Sequence, residues 1–243
     1  MFADSAVSLA RGWREAIAAA PEWRPPTVPT LVVVPHPDDE SLSTGGLLAH
    51  LRRRSVPVVV AAVTDGDAAY PGVVVPARLA SIRRAEQQVA LARLGVCTAS
   101  IVRLGIADGE VHRHESELEE HLVTIVARHH VEHMVAPWTS DHHRDHEACG
   151  RAAQGAAGRC SIPVTFGLFW GYQHVADPVF TPARLVRLPL DDADADAKRT
   201  AIGCHDSQIA AGVAPAPMLT PEDLAPAAWP AEMFVVDDEP APS

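Results

Sequence analysis

Apolar runs and helical patterns alternate along most of the chain. Short runs rich in β-branched residues predict strands at Thr30–Val34, Pro57–Val63, Ser100–Leu104, His133–Ala136, Val164–Trp170 and Leu185–Leu188. Apolar residues at helical spacing predict helices between them, at Thr44–Arg54, Ala77–Leu94, Glu115–His130, Asp145–Ala157 and about Ala193–Gly203. Because βαβ units build parallel sheets, we expect an α/β fold, a Rossmann-like parallel sheet flanked by helices.

The two ends of the chain have weaker patterns. Ser5–Ala20 predicts an amphipathic helix that Pro21 ends, within an N-terminal unit of residues 1–25. From residue 211 to 243, many prolines and acidic residues predict an irregular, partly mobile segment, so the C-terminal third is expected to be irregular. A chain of 243 residues buries enough surface to fold as one domain, and we expect a single domain over 1–243.

Composition and charge exclude several classes of partner. The chain has 20 Lys and Arg against 31 Asp and Glu, a formal charge of −11, which disfavours nucleic acid and anionic lipid. No apolar run approaches the ~18 residues of a membrane span, and early arginines interrupt the apolar stretch that a secretory signal needs. The four cysteines form no C-x-x-C pair and are typical of buried thiols in a reducing compartment. We therefore expect a cytoplasmic protein that binds neither membrane nor nucleic acid.

The first candidate site is the run Pro35-His36-Pro37-Asp38-Asp39-Glu40, directly after the first strand. Ligands of open parallel sheets bind at the carboxyl ends of the strands. Three adjacent carboxylates repel one another unless a cation or hydrogen bonds offset their charge. An acidic turn that caps the next helix is the simpler interpretation, but it explains neither His36 nor the third acid.

The second candidate site, Asp141-His142-His143-Arg144-Asp145-His146, follows the fourth strand. Positions 143 and 146 are i and i+3, so both imidazoles can face one point, although a solvated helix start would also carry such residues. A catalytic zinc site uses three protein ligands and leaves one position open. Taken together, the two runs supply that number in His36, Asp39 and His146. Asp38 is then free to accept a proton, as metal-assisted hydrolysis requires.

This set of motifs resembles the LmbE-like, or PIG-L, N-acetylglucosaminyl deacetylases. The matching residues span about positions 30 to 210 and are Pro35 to Glu40, Thr64-Asp65-Gly66, Arg83 with Glu86, Asp141-x-His143-x-Asp145-His146, and Lys198 with His205-x-Ser207-Gln208. The first and fourth of these motifs are highly specific. The resemblance implies the LmbE-like fold and hydrolysis of the N-acetyl or N-acyl amide of a small amino-sugar conjugate, such as one of N-acetylglucosamine, to acetate and a free amine.

The resemblance also implies roles for individual residues. One Zn²⁺ per chain would be held by His36, Asp39 and His146. The catalytic residues would be Asp38, His143 and Asp145: Asp38 as general base, His143 for the oxyanion or the leaving amine, and Asp145 to orient an imidazole. The substrate contacts would be Arg83, Asp108 and Asp141. A secondary-metabolite or chito-oligosaccharide substrate is expected, and the sequence leaves the oligomeric state open.

Three other functions are compatible with parts of this pattern. A metal-dependent phosphatase or phosphodiesterase also uses His and Asp clusters, but its two-metal centre needs more ligands than the three that are clear here. A doubly wound nucleotide-binding module would carry a glycine-rich turn after the first strand, where this chain has carboxylates that repel phosphate. A sugar-binding protein without catalytic activity would differ only in an assay.

Overall fold

A computed structural model of the chain describes residues 13, 15–173 and 185–236. Within these residues, seven strands form one sheet in the order β3-β2-β1-β4-β5-β7-β6. The strands are β1 Thr30–Val34, β2 Val58–Ala62, β3 Ile101–Arg103, β4 His133–Pro137, β5 Val164–Gly167, β6 Leu185–Pro189 and β7 Ala231–Val236. Strands β1 to β5 pair in parallel, and β7 is antiparallel to both of its neighbours. The predicted α/β fold class is confirmed.

Helices cover both faces of the sheet. They are α1 Asp39–Arg53, α2 Pro76–Arg93, α3 Glu115–His129, α4 Arg144–Cys160, α5 Asp192–Ile202 and the short α6 Asp206–Ile209 and α7 Pro221–Leu224. Every helix that the sequence predicts between residues 44 and 203 is present. Among the described helices, none has the length and apolarity needed to cross a bilayer.

The central strand shows why the sheet has a core on each face. All five residues of β1 are buried. Leu31 and Val33 belong to one hydrophobic cluster, with α3 and α4, whereas Val32 and Val34 belong to the other, with α1 and α2. Since successive side chains of a strand point to opposite faces, a strand buried on both sides is apolar throughout.

The first helix begins earlier than the sequence predicts. It starts at Asp39 rather than Thr44, so two of the acids in the first motif lie in its first turn. Thr44 has non-helical dihedral angles (φ −130°, ψ 15°), and a kink there divides the helix into two segments. The predicted start therefore matches the second segment, because acidic residues followed by Gly45 and Gly46 are typical of a turn as well as of a helix start.

A carboxylate from the far end of the chain holds the second segment of α1. The Glu232 side chain accepts hydrogen bonds from the backbone N–H groups of Gly46 (2.7 Å) and Leu47 (2.8 Å). It also accepts one from the Lys198 ammonium at 2.7 Å. A Cβ at position 46 would lie 2.4 Å from a methyl group of Leu190, so a larger residue there would have to displace that side chain. The cap satisfies helix amides that would otherwise lack acceptors.

The prediction of an irregular segment after residue 211 is wrong for residues 231–236. This run forms β7, which is almost wholly buried between β5 and β6. Prolines before the run and acids after it outweighed its β-branched residues in the sequence pattern. Residues 237–243 lie outside the described part. So do residues 5–12 and 14 of the predicted helix Ser5–Ala20, of which residues 15–19 are helical.

Candidate active site

The candidate site lies where the order of the strands reverses. Strands β2 and β3 extend from one side of β1, whereas β4 and β5 extend from the other. This switch point opens a crevice at the carboxyl ends of β1 and β4. His36 lies two residues after β1, and residues 141–146 begin four residues after β4. The centroids of the His36 and His146 rings are 5.4 Å apart, so the two motifs meet as predicted.

Asp39 joins the two histidines at the centre of the site. Its Oδ2 lies 3.1 Å from Nδ1 of His36 and 3.2 Å from Nε2 of His146. It also accepts a hydrogen bond from the backbone N–H of His36 (2.9 Å). Nε2 of His146 is buried and makes no hydrogen bond within the described residues. An orphaned buried nitrogen beside a carboxylate and a second imidazole is a donor set that suits zinc.

Among the described residues, two groups of side chains each have ligand-type atoms within 4.8 Å of one another: one is His36, His143 and His146, and the other is His36, Asp108 and Asp145. Both contain His36, whose Nε2 lies 3.2 Å from Asp108 and 3.4 Å from Asp145, whereas its Nδ1 faces Asp39. Asp39 and the pair Asp108 and Asp145 therefore contact opposite edges of one ring.

In both His36 and His146, the ring nitrogen that points away from Asp39 contacts a carboxylate. Nδ1 of His146 lies 2.8 Å from Oδ2 of Asp141, and Asp108 and Asp145 contact the outer nitrogen of His36. The Asp145 carboxylate accepts hydrogen bonds from the backbone N–H groups of Gly109 (2.7 Å) and Val111 (3.2 Å). Metal-ligating histidines commonly use the second ring nitrogen in this way, which fixes the orientation of the ring.

The surrounding carboxylates make the site favourable for positive charge. Burial alone would lower the pKa of His146, but Asp39 and Asp141 outweigh it and raise that pKa to about 9. The pKa of His36 is likewise raised well above its ordinary value, despite burial, by hydrogen bonds with Asp108, Asp145 and Asp39. A cation bound between the rings would supply this positive charge and leave both imidazoles neutral.

Asp38 lies beside this cluster in an unusual backbone conformation. Its φ of 155° and ψ of −28° fall in a region that non-glycine residues rarely adopt. The residue is 6% exposed, and its Oδ1 accepts a hydrogen bond from Nη2 of Arg83 at 2.9 Å. Burial raises the pKa of this carboxyl to about 6, although Arg83 opposes the rise. The group is therefore ionised at neutral pH and has a pKa suited to a general base.

His143 caps helix α4 and faces the same cluster. Its Nδ1 accepts a hydrogen bond from the backbone N–H of Asp145 (3.3 Å), which places the proton of the neutral ring on Nε2. Burial lowers the pKa of His143 to about 4, and His146 and His36 act in the same direction. The ring is therefore a neutral hydrogen-bond donor at pH 7.

Asp141, an expected substrate contact, is engaged by protein groups. This residue is fully buried, and besides its bond with His146 its carboxylate accepts hydrogen bonds from the backbone N–H groups of Phe169 (3.0 Å), Trp170 (3.2 Å) and Gly171 (2.8 Å). Because protein groups engage both oxygens, Asp141 is placed to orient His146, and its contact with a substrate is still a prediction.

Arg83 also has protein partners, whereas Asp108 lies near the surface of the site. Arg83 is 3% exposed, and its guanidinium donates to the carbonyl groups of Gly66 (2.9 Å) and Pro37 (3.0 Å) as well as to Asp38. These bonds support Asp38, and the expected substrate contact of Arg83 is still a prediction. The Asp108 side chain is 10% exposed, so its expected substrate contact remains a prediction.

Sequence reasoning missed an aromatic wall at the site. The Phe169 ring stacks on His146 with centroids 6.1 Å apart, and the half-buried Trp170 stacks on His143 at 6.3 Å. Both residues follow β5, whereas the sequence analysis placed them inside that strand. Their position after β5 could have indicated them, since β5 ends at the same edge of the sheet as β1 and β4.

Comparisons with known proteins agree with this architecture. Deacetylases of 1D-myo-inositol 2-acetamido-2-deoxy-alpha-D-glucopyranoside from two Mycobacterium strains (KMS and JLS) are 39% identical over 105 residues, which is 40% of this chain. The match spans only 34% of the length of these curated relatives.

Two solved structures share the fold. The A40926 pseudoaglycone deacetylase Dbv21 has a TM-score of 0.67 and 22% identity, over 87% of this chain and 97% of that one. The N,N'-diacetylchitobiose deacetylase of Pyrococcus horikoshii has a TM-score of 0.59 and 21% identity, over 74% and 69%.

A family model described as PIG-L, GlcNAc-PI de-N-acetylase, matches residues 31–157. The match covers more than half of the chain and contains both motifs that meet at the switch point. The chain therefore belongs to the PIG-L family.

Proposed function

We propose that the protein is a zinc-dependent amidohydrolase that removes an acetyl or other acyl group from the nitrogen of a small amino-sugar conjugate. The observation that carries the proposal is the buried His36–Asp39–His146 cluster with the carboxylate of Asp38 beside it. Family membership supports the reaction class, and the relatives named above are deacetylases of amino sugars or glycosylated compounds. The acceptor is open among such conjugates.

The donor set of the cluster fits a zinc ion held by His36, Asp39 and His146. Two imidazole nitrogens and one carboxylate oxygen form a common catalytic zinc set that leaves a coordination position free. Bound there, the ion supplies Lewis acidity, which polarises an amide carbonyl and acidifies water.

Asp38 is the proposed proton acceptor. Arg83 engages its Oδ1, which leaves Oδ2 to take a proton from the attacking water. With a pKa of about 6, the carboxylate is ionised at neutral pH and close to the range in which general bases are most effective. Asp38 then carries the proton that the leaving amine requires.

His143 is the proposed oxyanion donor. The sequence left open whether it stabilises the oxyanion or protonates the leaving amine. The bond from Asp145 N–H to Nδ1 leaves Nε2–H as the donor, and a pKa of about 4 keeps the ring neutral. These facts favour donation of a hydrogen bond to the developing oxyanion over release of a proton.

A two-metal phosphatase centre receives less support from the same geometry. The group of His36, Asp108 and Asp145 shares His36 with the proposed zinc ligands, but through Nε2, whereas Asp39 faces Nδ1. A neutral imidazole has only one nitrogen lone pair to offer a metal. Two ions would therefore require His36 as an imidazolate, whereas one ion needs only the neutral ring that Asp108 and Asp145 orient.

The direct test is release of free amine from a panel of N-acetylglucosamine conjugates, including chito-oligosaccharides, by zinc-loaded protein. We expect release that a chelator abolishes and added zinc restores, with about one metal per chain by metal analysis. Phosphatase activity with two metals per chain, or no amine release from any conjugate, would contradict the proposal.

A further inference from the structure

Two motifs of the chain do not touch the His–Asp–His cluster. One is the pair Arg83 and Glu86, which are one turn apart on α2, and the other is His205 with Ser207 at the start of α6. His205 and Ser207 are almost completely buried. Buried polar residues are retained in a core only when partners satisfy them, so their partners show what they do.

The α2 pair connects the Asp38 turn to α6. Arg83 donates to Oδ1 of Asp38 (2.9 Å) and to the carbonyl of Pro37 (3.0 Å). One turn further along α2, the Glu86 carboxylate accepts hydrogen bonds from the backbone N–H (2.8 Å) and the hydroxyl (2.6 Å) of Ser207. Residues at i and i+3 lie on the same helix face, so one face of α2 holds both structures.

A second connection runs back from α6 to Asp38. Nε2 of His205 shares a hydrogen bond with the Ser41 hydroxyl at 2.9 Å. The backbone N–H of Ser41 in turn donates to the carbonyl of Asp38 at 2.9 Å. Together with the α2 pair, these bonds close a ring of contacts, which we call the base clamp: Asp38, Arg83, Glu86, Ser207, His205 and Ser41.

The two connections of the base clamp meet at Asp38, whose backbone is strained. A non-glycine residue near φ 155° persists only where its surroundings over-determine that conformation. Arg83 fixes the side chain of Asp38, and the first turn of α1, anchored through Ser41, fixes its carbonyl. Among the described residues, no side-chain hydrogen bond joins the clamp to the donor atoms of His36, Asp39 or His146.

We infer that His205 and Glu86 are positioning residues, which act through Ser41 and Arg83 to hold Asp38 where it can take a proton from water. The inference rests on the proposed function for the role of Asp38. A positioning error of about 1 Å near a reacting group costs on the order of 10²-fold in rate. Loss of the clamp should therefore lower kcat and leave KM and zinc content almost unchanged.

The test compares variants that remove or replace one polar side-chain group of the clamp. His205→Phe keeps a ring but removes the bond to Ser41, whereas His205→Gln can place an amide near the position of Nε2. Glu86→Gln keeps one acceptor oxygen for Ser207 and perturbs the base clamp at the contact between α2 and α6. The control is His133→Phe, which removes a buried histidine–hydroxyl bond of 3.1 Å to Thr165, far from the site.

We expect His205→Phe to lower kcat about 10- to 100-fold, His205→Gln to restore most of that loss, and Glu86→Gln to give a smaller decrease. Amide hydrogen exchange should become faster at Ser41 and Leu42, whose N–H groups bind the Asp38 carbonyl. The control should lower Tm without changing kcat or this exchange.

Exchange separates failure of the clamp from failure of the proposed function. If wild type releases no amine but His205→Phe still speeds exchange at Ser41 and Leu42, the clamp stands and the deacylase proposal fails. If His205→Phe retains full kcat and unchanged exchange in an active enzyme, the clamp is refuted. If that variant does not fold, Glu86→Gln decides by the same two measurements.

Discussion

Two buried histidines at opposite ends of β4 have opposite electrostatics. His133 opens the strand, and its Nε2 shares a hydrogen bond with the Thr165 hydroxyl at 3.1 Å. His146 lies beyond the end of the strand, between the carboxylates of Asp39 and Asp141. Burial lowers the pKa of His133 to about 4, whereas at His146 the two carboxylates overcome burial and raise the pKa to about 9.

The difference separates a residue that completes the core from one that forms a site. Both rings are less than a tenth exposed, so burial does not distinguish them. The Thr165 hydroxyl satisfies the neutral ring of His133 but does not stabilise a positive charge on it. Converging carboxylates instead favour positive charge beside His146, which is the condition a metal cation needs.

The most severe test of this comparison is His146→Ala. Removal of one of the three proposed ligands should lower zinc content below one per chain and reduce activity to that of chelator-treated protein. Metal analysis of the purified variant measures the first effect. His133→Ala is the matched control and should bind zinc normally with a lower Tm. Full zinc occupancy in the His146 variant would remove the basis of the comparison.

Asp38→Asn separates proton transfer from metal binding at the same edge. The amide cannot accept the proton from water, so kcat should fall by ~10²–10⁴. Zinc content should stay the same, because Asp38 is not among the proposed ligands. Steady-state kinetics with parallel metal analysis measures both. An unchanged kcat would refute the assignment of the base.

Asp141→Asn tests whether the carboxylate that contacts Nδ1 of His146 is needed for that histidine to bind zinc. The amide keeps one oxygen for the backbone N–H groups of residues 169–171 but loses the negative charge. We expect zinc affinity or activity to fall by ~10–100-fold, as measured by competition with a chromogenic chelator. Zinc affinity and activity equal to wild type would show that the inner ligands alone determine the site.

The smallest effect should come from His133 and concerns acid stability. Because the folded pKa is about 4 and the unfolded value ~6.5, the unfolded chain binds more protons between these values. Stability is therefore complete above about pH 6.5 and falls as pH drops towards 4, by about 2 kcal/mol at pH 5 from this residue.

His133→Gln should remove that dependence, since glutamine does not titrate. At pH 7 the variant should be less stable by about 1 kcal/mol, and at pH 5 the difference should disappear or reverse. Urea unfolding at both pH values measures this change. A difference between wild type and variant that is equal at pH 7 and pH 5 would contradict the lowered pKa.

Much of the fold and the meeting of the two motifs could be predicted from sequence. Strands such as β1 are apolar throughout and have clear ends, so periodicity locates them. The strand order of a doubly wound sheet then brings residues 36 and 146 to one edge. Here local pattern and fold point to the same answer.

Other features depend on partners that no local pattern reveals. The hydrogen bonds of Asp141 could not be predicted, because the backbone N–H groups that donate to its carboxylate lie about 30 residues away, after β5. Those of Arg83 could not be predicted either, because its partners at Gly66 and Pro37 are backbone carbonyl oxygens, which every residue carries. Strand β7 was missed because prolines around it hid a six-residue run.

The cap on helix α1 has a consequence for the order of events during synthesis. Gly46 and Glu232 are 186 residues apart in the chain. A nascent chain on the ribosome has therefore made both His/Asp motifs long before it makes the carboxylate that caps the helix after the first of them. Until β7 emerges, the Lys198 ammonium also lacks this counterion. The second segment of α1 thus reaches its native set of bonds only after β7 has been made.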